Sequence, residues 1–153
     1  MGDYKRFGWM IACSTLVMFV LMYLNTYAFE HVHFSQTRAW MALVMGAAMA
    51  IVMLGFMLGM YKDKRANMAI FIAAAALFAG SLWLVRSQAM VDDVSYMRAM
   101  IPHHSIAIMT SERADISDPR VRKLADGIIA AQRKEIAEME ALIADIERRG
   151  PRR

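Results

Sequence analysis

The sequence predicts an all-α protein in which three transmembrane helices precede an extramembrane two-helix hairpin. Three observations carry this reading. Residues 7–29, 39–61 and 66–85 contain no charged side chain. Charge is concentrated instead in residues 86–153, which hold 12 Lys/Arg and 11 Asp/Glu against 6 and 3 in residues 1–85. Beyond Pro119 apolar residues recur with the 3.6-residue period of an amphipathic helix. The chain therefore divides into a membrane region, 1–85, and a hairpin domain, 86–153.

Each apolar run has the length of a span, since about 20 helical residues cross roughly 30 Å of hydrocarbon. A signal peptide is the alternative for the first run, because Lys5 and Arg6 precede it and Thr26-Tyr27-Ala28 resembles a cleavage site. The run is too long for the short apolar core of a signal peptide. Tyr4, Trp9, Tyr23, Tyr27, Trp40 and Tyr61 lie toward the span ends, where amphipathic rings favour the interface.

Orientation follows from the short loops. Lys5 and Arg6 at one end, with Lys62, Lys64 and Arg65 between the second and third runs, outweigh the single cation Arg38 of the first loop. The positive-inside rule then places the N-terminus in the cytoplasm and the hairpin outside it, in the periplasm or the cell exterior for a bacterial inner membrane. Gly55 and Gly59 form a GxxxG pair, and Gly46/Ala50, Ala69/Ala73 and Ala76/Gly80 form further small-residue rows. These serve packing within one bundle or between subunits.

The second domain reads as a helix over residues 87–114, interrupted at Pro102, and a second helix capped by Asp118-Pro119 and stopped by Gly150-Pro151. Val121, Leu124, Ala125, Ile128, Ile136, Met139, Leu142, Ile143 and Ile146 form the apolar face of the second helix. Gln132 at its centre and Glu135 at its edge are polar exceptions that need partners. On the first helix Met97, Met100, Ile101, His104 and Ile108 share one face. Antiparallel packing then brings His104 near Ile128 and Gln132, and Met97 and Met100 near Gln132, Glu135 and Met139. Pro102 removes a backbone donor and is expected to kink the helix, which could aim His103 and His104 at one site. Two helices enclose little core, so the hairpin is expected to pair with a second copy into a four-helix bundle, as a homodimer or higher homo-oligomer.

Composition narrows the chemistry. Sixteen methionines stand against one cysteine, Cys13. Disulfide scaffolds and thiolate zinc sites are thereby excluded. Ten of the methionines fall in or beside the apolar runs, where packing explains them. This includes Met41, Met45, Met49, Met53 and Met57, whose four-residue spacing could alternatively form a ladder for Cu(I). The net charge of +4 is spread along the chain and argues for no nucleic-acid partner. H-E-x-x-H, G-x-S-x-G and phosphate-binding glycine loops are absent, so no enzyme is expected.

The segment Tyr96-Met97-Arg98-Ala99-Met100-Ile101-Pro102-His103-His104-Ser105 resembles the signature of the domain of unknown function family number 305. Asp118, Val121, Leu124, Ala125, Ile128, Ile129, Gln132, Glu135, Ile136 and Met139 fit its D-x-x-V-x-x-L-A-x-x-I-I-x-x-Q-x-x-E-I-x-x-M pattern. The resemblance covers roughly residues 90–147. The family includes CopM-like periplasmic copper-binding proteins, ferritin-like bundles linked to copper and silver tolerance. It implies Cu(I) or silver as the bound ion, with Met97, Met100, His103 and His104 as ligands. Met139 is a further ligand candidate, and Gln132 and Glu135 would orient the imidazoles. Soft monovalent ions favour thioether and imidazole donors, which suits a site lacking thiolates. His31 and His33, beside Glu30, are an accessory metal-binding candidate. Expected partners are the lipid bilayer and a metal-donor or acceptor protein. An oligomerising membrane scaffold and a ferritin-like oxidase built on His103, His104, Glu112 and Glu135 are the alternatives.

Overall fold

The computed structural model describes residues 2–150, so Pro151 of the expected helix stop lies outside the described residues. Among the described residues there are five α-helices, one 3-10 turn and no strand. They are α1 (Gly2–Leu21), α2 (Gln36–Phe56), α3 (Lys64–Ser87), α4 (Asp93–Arg113) and α5 (Pro119–Arg149), with the 3-10 turn at Phe29–His31. Asp3–Leu21, Gln36–Phe56 and Lys64–Ser87 are each long and apolar enough to cross a membrane.

The first helix is displaced from the charge-free run that predicts it. It begins at Gly2, takes in the charged Asp3–Arg6 segment, and ends at Leu21 rather than at residue 29. Charged side chains near a span end keep their heads in water by extending along the helix, so they do not exclude helix. In the remainder of the run the Tyr27 amide donates to Ser105 instead of continuing the helix, as described below.

The residues form two compact units: one runs up to Met22 and resumes over Thr37–Met90, and the other joins Tyr23–Gln36 to Val91–Arg153. In the first unit Phe7, Leu54 and Tyr61 are buried together. Tyr61 packs its ring against Tyr4 at 4.8 Å and Phe7 at 5.6 Å between centroids. Asn67 is buried beside them, and its amide donates to the Tyr61 carbonyl at 2.6 Å while accepting from the Tyr4 hydroxyl at 2.9 Å. A polar group at that depth is tolerated because both ends of its amide are paired. Asp63 caps α3 by accepting from the Arg65 and Ala66 amides.

Among the small-residue rows, Gly46 marks a close approach. A side-chain carbon there would collide with the Thr15 hydroxyl of α1, which itself donates to the Ile11 carbonyl at 2.8 Å. Around Gly55, Gly59 and Gly80 a methyl group would meet nothing within 4 Å. Among the described residues, therefore, nothing packs closely against the GxxxG pair.

The second unit is built on the α4–α5 hairpin. Asp92 caps α4 through the Ser95 amide at 2.7 Å, and Asp118 caps α5 through the Arg120 amide at 2.8 Å with Pro119 at the first turn. These donors hold both carboxyls below the usual carboxylate range; for Asp118 the Arg120 guanidinium leads. Met97, Ile101, Ile108, Ile136 and Ile143 form the core. Val121, Leu124, Ile128 and Leu142, expected on the buried face of α5, are exposed.

Candidate functional site

Helix α4 is continuous from Asp93 to Arg113 with Pro102 inside it and buried. The expected interruption of the helix at Pro102 is corrected by this geometry. Consecutive residues on a continuous helix lie about 100° apart, so His103 and His104 face different ways. His103 is exposed, with its ring centroid 6.1 Å from that of His104.

His104 is held on both ring nitrogens. Nδ1 lies 2.9 Å from the Met100 carbonyl and Nε2 lies 2.8 Å from Glu135 Oε2. A carbonyl only accepts, so Nδ1 donates to it; Nε2 is then the nitrogen that donates to the carboxylate when it carries a proton, and the one whose lone pair a metal would take once that proton is released. The imidazole is thus oriented by the backbone of its own helix rather than by Gln132. Glu135 meets Nε2 itself, and Gln132 donates weakly to the same carboxylate at 3.4 Å.

The axial register also differs from the expected one. The offset is about one turn: Glu135 rather than Gln132 meets His104 directly, Gln132 reaches the same carboxylate oxygen, and Met97 and Met100 share a groove with Glu135 and Met139 as expected, while Arg98 reaches Glu147 at 2.6 Å. Burial of Met97, Ile101 and Ile108 with Ile136 and Ile143 in one apolar cluster favours this register, because it withdraws those side chains from water on both helices. Met97, Met100, His104, Glu135 and Met139 then line one open groove of about 640 Å³, together with Asp93, Tyr96, Glu138, Leu142 and Ile146. Met97 is buried and Met139 is half-buried against the core.

Of the residues singled out from the sequence, the groove therefore collects Met97, Met100, His104, Met139 and Glu135. It does not collect His103 or Gln132; the latter lines a shallower depression with Leu124 and Ile128. Glu112 pairs with Arg133 at 2.6 Å and is not among the lining residues. Among the described residues no three His, Cys, Asp or Glu side chains converge. What the groove brings together is three thioethers and one imidazole, with Glu135 on that imidazole and the Asp93 and Glu138 carboxylates also on its lining; the thioethers are donors suited to a soft cation.

Sequence reasoning missed Ser105. Its side chain is fully buried, and its hydroxyl takes the Tyr27 amide proton at 3.1 Å and lies 2.9 Å from His31 Nδ1. Tyr27 also bonds Glu112, which raises its phenol above the ordinary tyrosine range, and Arg113 stacks over its ring at 5.7 Å. The segment Tyr23–Gln36 is therefore fastened to the hairpin one residue from His104. Only the single polar residue between His104 and Ile106 hinted at this in the sequence.

His31 and His33 serve this docking. His33 is half-buried, its Nε2 has no hydrogen-bond partner, and burial pushes its imidazole below the ordinary histidine range. Arg98 adds to that depression and His31 contributes weakly, whereas Glu140 opposes it. A depressed folded value means that the unfolded chain takes up the proton first as pH falls. The stabilisation is present above about pH 6.5 and is lost on acidification through the folded value. Amide protection in residues 23–36, taken relative to the intrinsic exchange rate at each pH, is expected to fall below about pH 6.5 in the native protein and to be flatter with pH in His33→Phe. Equal pH profiles for the two proteins would refute this.

The fold and groove define an all-helical protein with three span-length helices and a hairpin domain carrying a Met/His cleft. Residues 93–152 match the family described as domain of unknown function (DUF305), and the chain belongs to that family. It is also 35% identical over 102 residues to an uncharacterised protein, L153, of Acanthamoeba polyphaga mimivirus, covering 62% of this chain and 67% of that one. No solved structure matches.

Proposed function

We propose that the protein is a membrane-anchored receptor for a soft monovalent metal ion, Cu(I) or Ag(I), used in metal tolerance or handling. Met97, Met100, Met139 and His104 Nε2 are the ligands. The observation that carries the reading is their convergence on one groove in which the Met100 carbonyl holds Nδ1 of His104 and leaves Nε2 for a metal. Glu135 occupies Nε2 in the absence of metal and moves aside, or joins the ligand set, on loading. His103 has no part in the primary site.

The charge distribution of the loops supports a cytoplasmic N-terminus and a hairpin facing the periplasm or exterior. The exposed row Val121, Leu124, Ile128 and Leu142 supports pairing of two hairpins into a ferritin-like four-helix bundle. That row also supports a second reading, in which the hairpin is an oligomerising scaffold with its histidine satisfied by Glu135.

Anaerobic titration of the full chain in detergent micelles with Cu(I), against a chromophoric competitor, tests the choice. Saturation near one ion per hairpin, with Ag(I) displacing Cu(I) and Zn(II) displacing neither, is expected. An oligomer that stays intact and retains no soft metal would replace the proposal with the scaffold reading.

A further inference from the structure

The segment between α1 and α2 carries an apolar surface that the hairpin does not cover. Phe29 is 97% exposed and Leu24 75% exposed, and Val32 is exposed beside them. This is not a slack connector. The Tyr27 amide and the His31 imidazole are bonded to the buried Ser105 hydroxyl, and the Ser35 amide donates to the Tyr23 hydroxyl at 2.9 Å. The backbone that bears these side chains is held in place, so their exposure is a built feature and not the average of a mobile loop.

The occupant follows from chain connectivity. The segment starts directly after α1, at Leu21, and ends directly before α2, at Gln36. Both helices are of span length, so both ends of the segment emerge from the same face of a bilayer. Its charge is limited to Glu30 and the two histidines. Large apolar side chains on a short, weakly charged backbone beside two span ends fit the boundary between headgroups and acyl chains.

We propose that Leu24, Phe29 and Val32 form an interfacial anchor that lodges in the surface of the bilayer crossed by α1–α3, so that the hairpin fastened to this segment through Ser105 works at the membrane surface. The inference rests on the membrane reading above, not on metal binding. Phospholipid is the partner; a second copy of the chain is the competing occupant.

The test uses the full chain in phosphatidylcholine vesicles, with Cys13→Ser removing the native thiol. Single probes are introduced by Phe29→Cys, Leu24→Cys, Leu16→Cys and Lys123→Cys, each at an exposed position where no packing is lost, and labelled with a polarity-sensitive fluorophore. Headgroup nitroxide lipids are expected to quench the Phe29 and Leu24 probes at least about two-fold and more than mid-chain nitroxides do. The Leu16 probe should show the reverse order and the Lys123 probe neither. If Leu16 is quenched while Phe29 and Leu24 behave as Lys123 does, the anchor is refuted and the spans stand. Blue-shifted but unquenched Phe29 and Leu24 probes would assign the surface to a second copy and equally refute it. An unquenched Leu16 probe would overturn the membrane reading itself.

Discussion

Replacing Met97, Met100 and Met139 together by leucine is expected to abolish high-affinity capture of Cu(I) or Ag(I) while leaving the hairpin folded. Leucine keeps nearly the same volume, and exchanges of this type cost less than about 1.5 kcal/mol at each site. The substitution therefore separates sulfur as a ligand from sulfur as a space-filler. Met97 sits in the core of the hairpin, so truncation to alanine would confuse the two roles. With the thioethers gone, the His104 imidazole and the carboxylates of Asp93, Glu135 and Glu138 remain in the groove, harder donors ill suited to a soft ion. Removing outer-sphere groups alone weakens metal sites by about 10–100-fold, so loss of three direct donors should exceed about 100-fold. His104→Ala should fall in the same class, and Glu135→Gln should retain binding. Competition titration on each variant, with circular dichroism as the folding control, reads the result. Native affinity in the triple leucine variant would remove the thioethers from the site.

Ile101→Ala is expected to be the most damaging single truncation in the hairpin. Ile101 has no exposed surface and packs with Met97, Ile108, Ile136 and Ile143. Removing a fully buried isoleucine side chain to its Cβ costs about 2–5 kcal/mol, the upper part of the range applying where neighbours cannot collapse into the gap. A unit of this size holds a stability of only several kcal/mol, so the loss is comparable to its whole margin. Amide exchange across α4 and α5 should rise toward that of the open state while α2 and α3 keep their protection. Val121→Ala, at an exposed position of α5, should change stability by less than about 0.5 kcal/mol. Equal protection in Ile101→Ala and the native chain would show that α4 and α5 are held by something other than their shared core.

The spans were legible because charge is costly in hydrocarbon and leaves long gaps in the sequence. Their ends were not, since a charge-free run records what the bilayer tolerates and not where helical hydrogen bonding stops. Residues 22–29 are apolar enough to continue α1, yet the Tyr27 amide leaves for Ser105. The start of α5 was readable from Asp118-Pro119 because a cap is a local interaction. The register of α4 on α5 was not, because periodicity specifies which face is buried and leaves sliding along the axis undetermined. That is why Glu135, placed by sequence at the edge of a stripe, proves to face His104 Nε2. The separation of His103 from His104 was available from helical geometry alone, once Pro102 was accepted inside a continuous helix.

The hairpin unit is discontinuous along the chain, and this bears on its biogenesis. Tyr27 precedes its partner Ser105 by 78 residues. At roughly 5–20 residues per second a ribosome delivers that interval in about 4–16 s. Throughout that time the first two apolar segments leave the ribosome while the partners of Tyr27 and His31 do not yet exist. Closure of the unit is thus a late event that follows synthesis of all three span-length helices, and a fragment beginning at α4 would lack the residues that fasten onto Ser105.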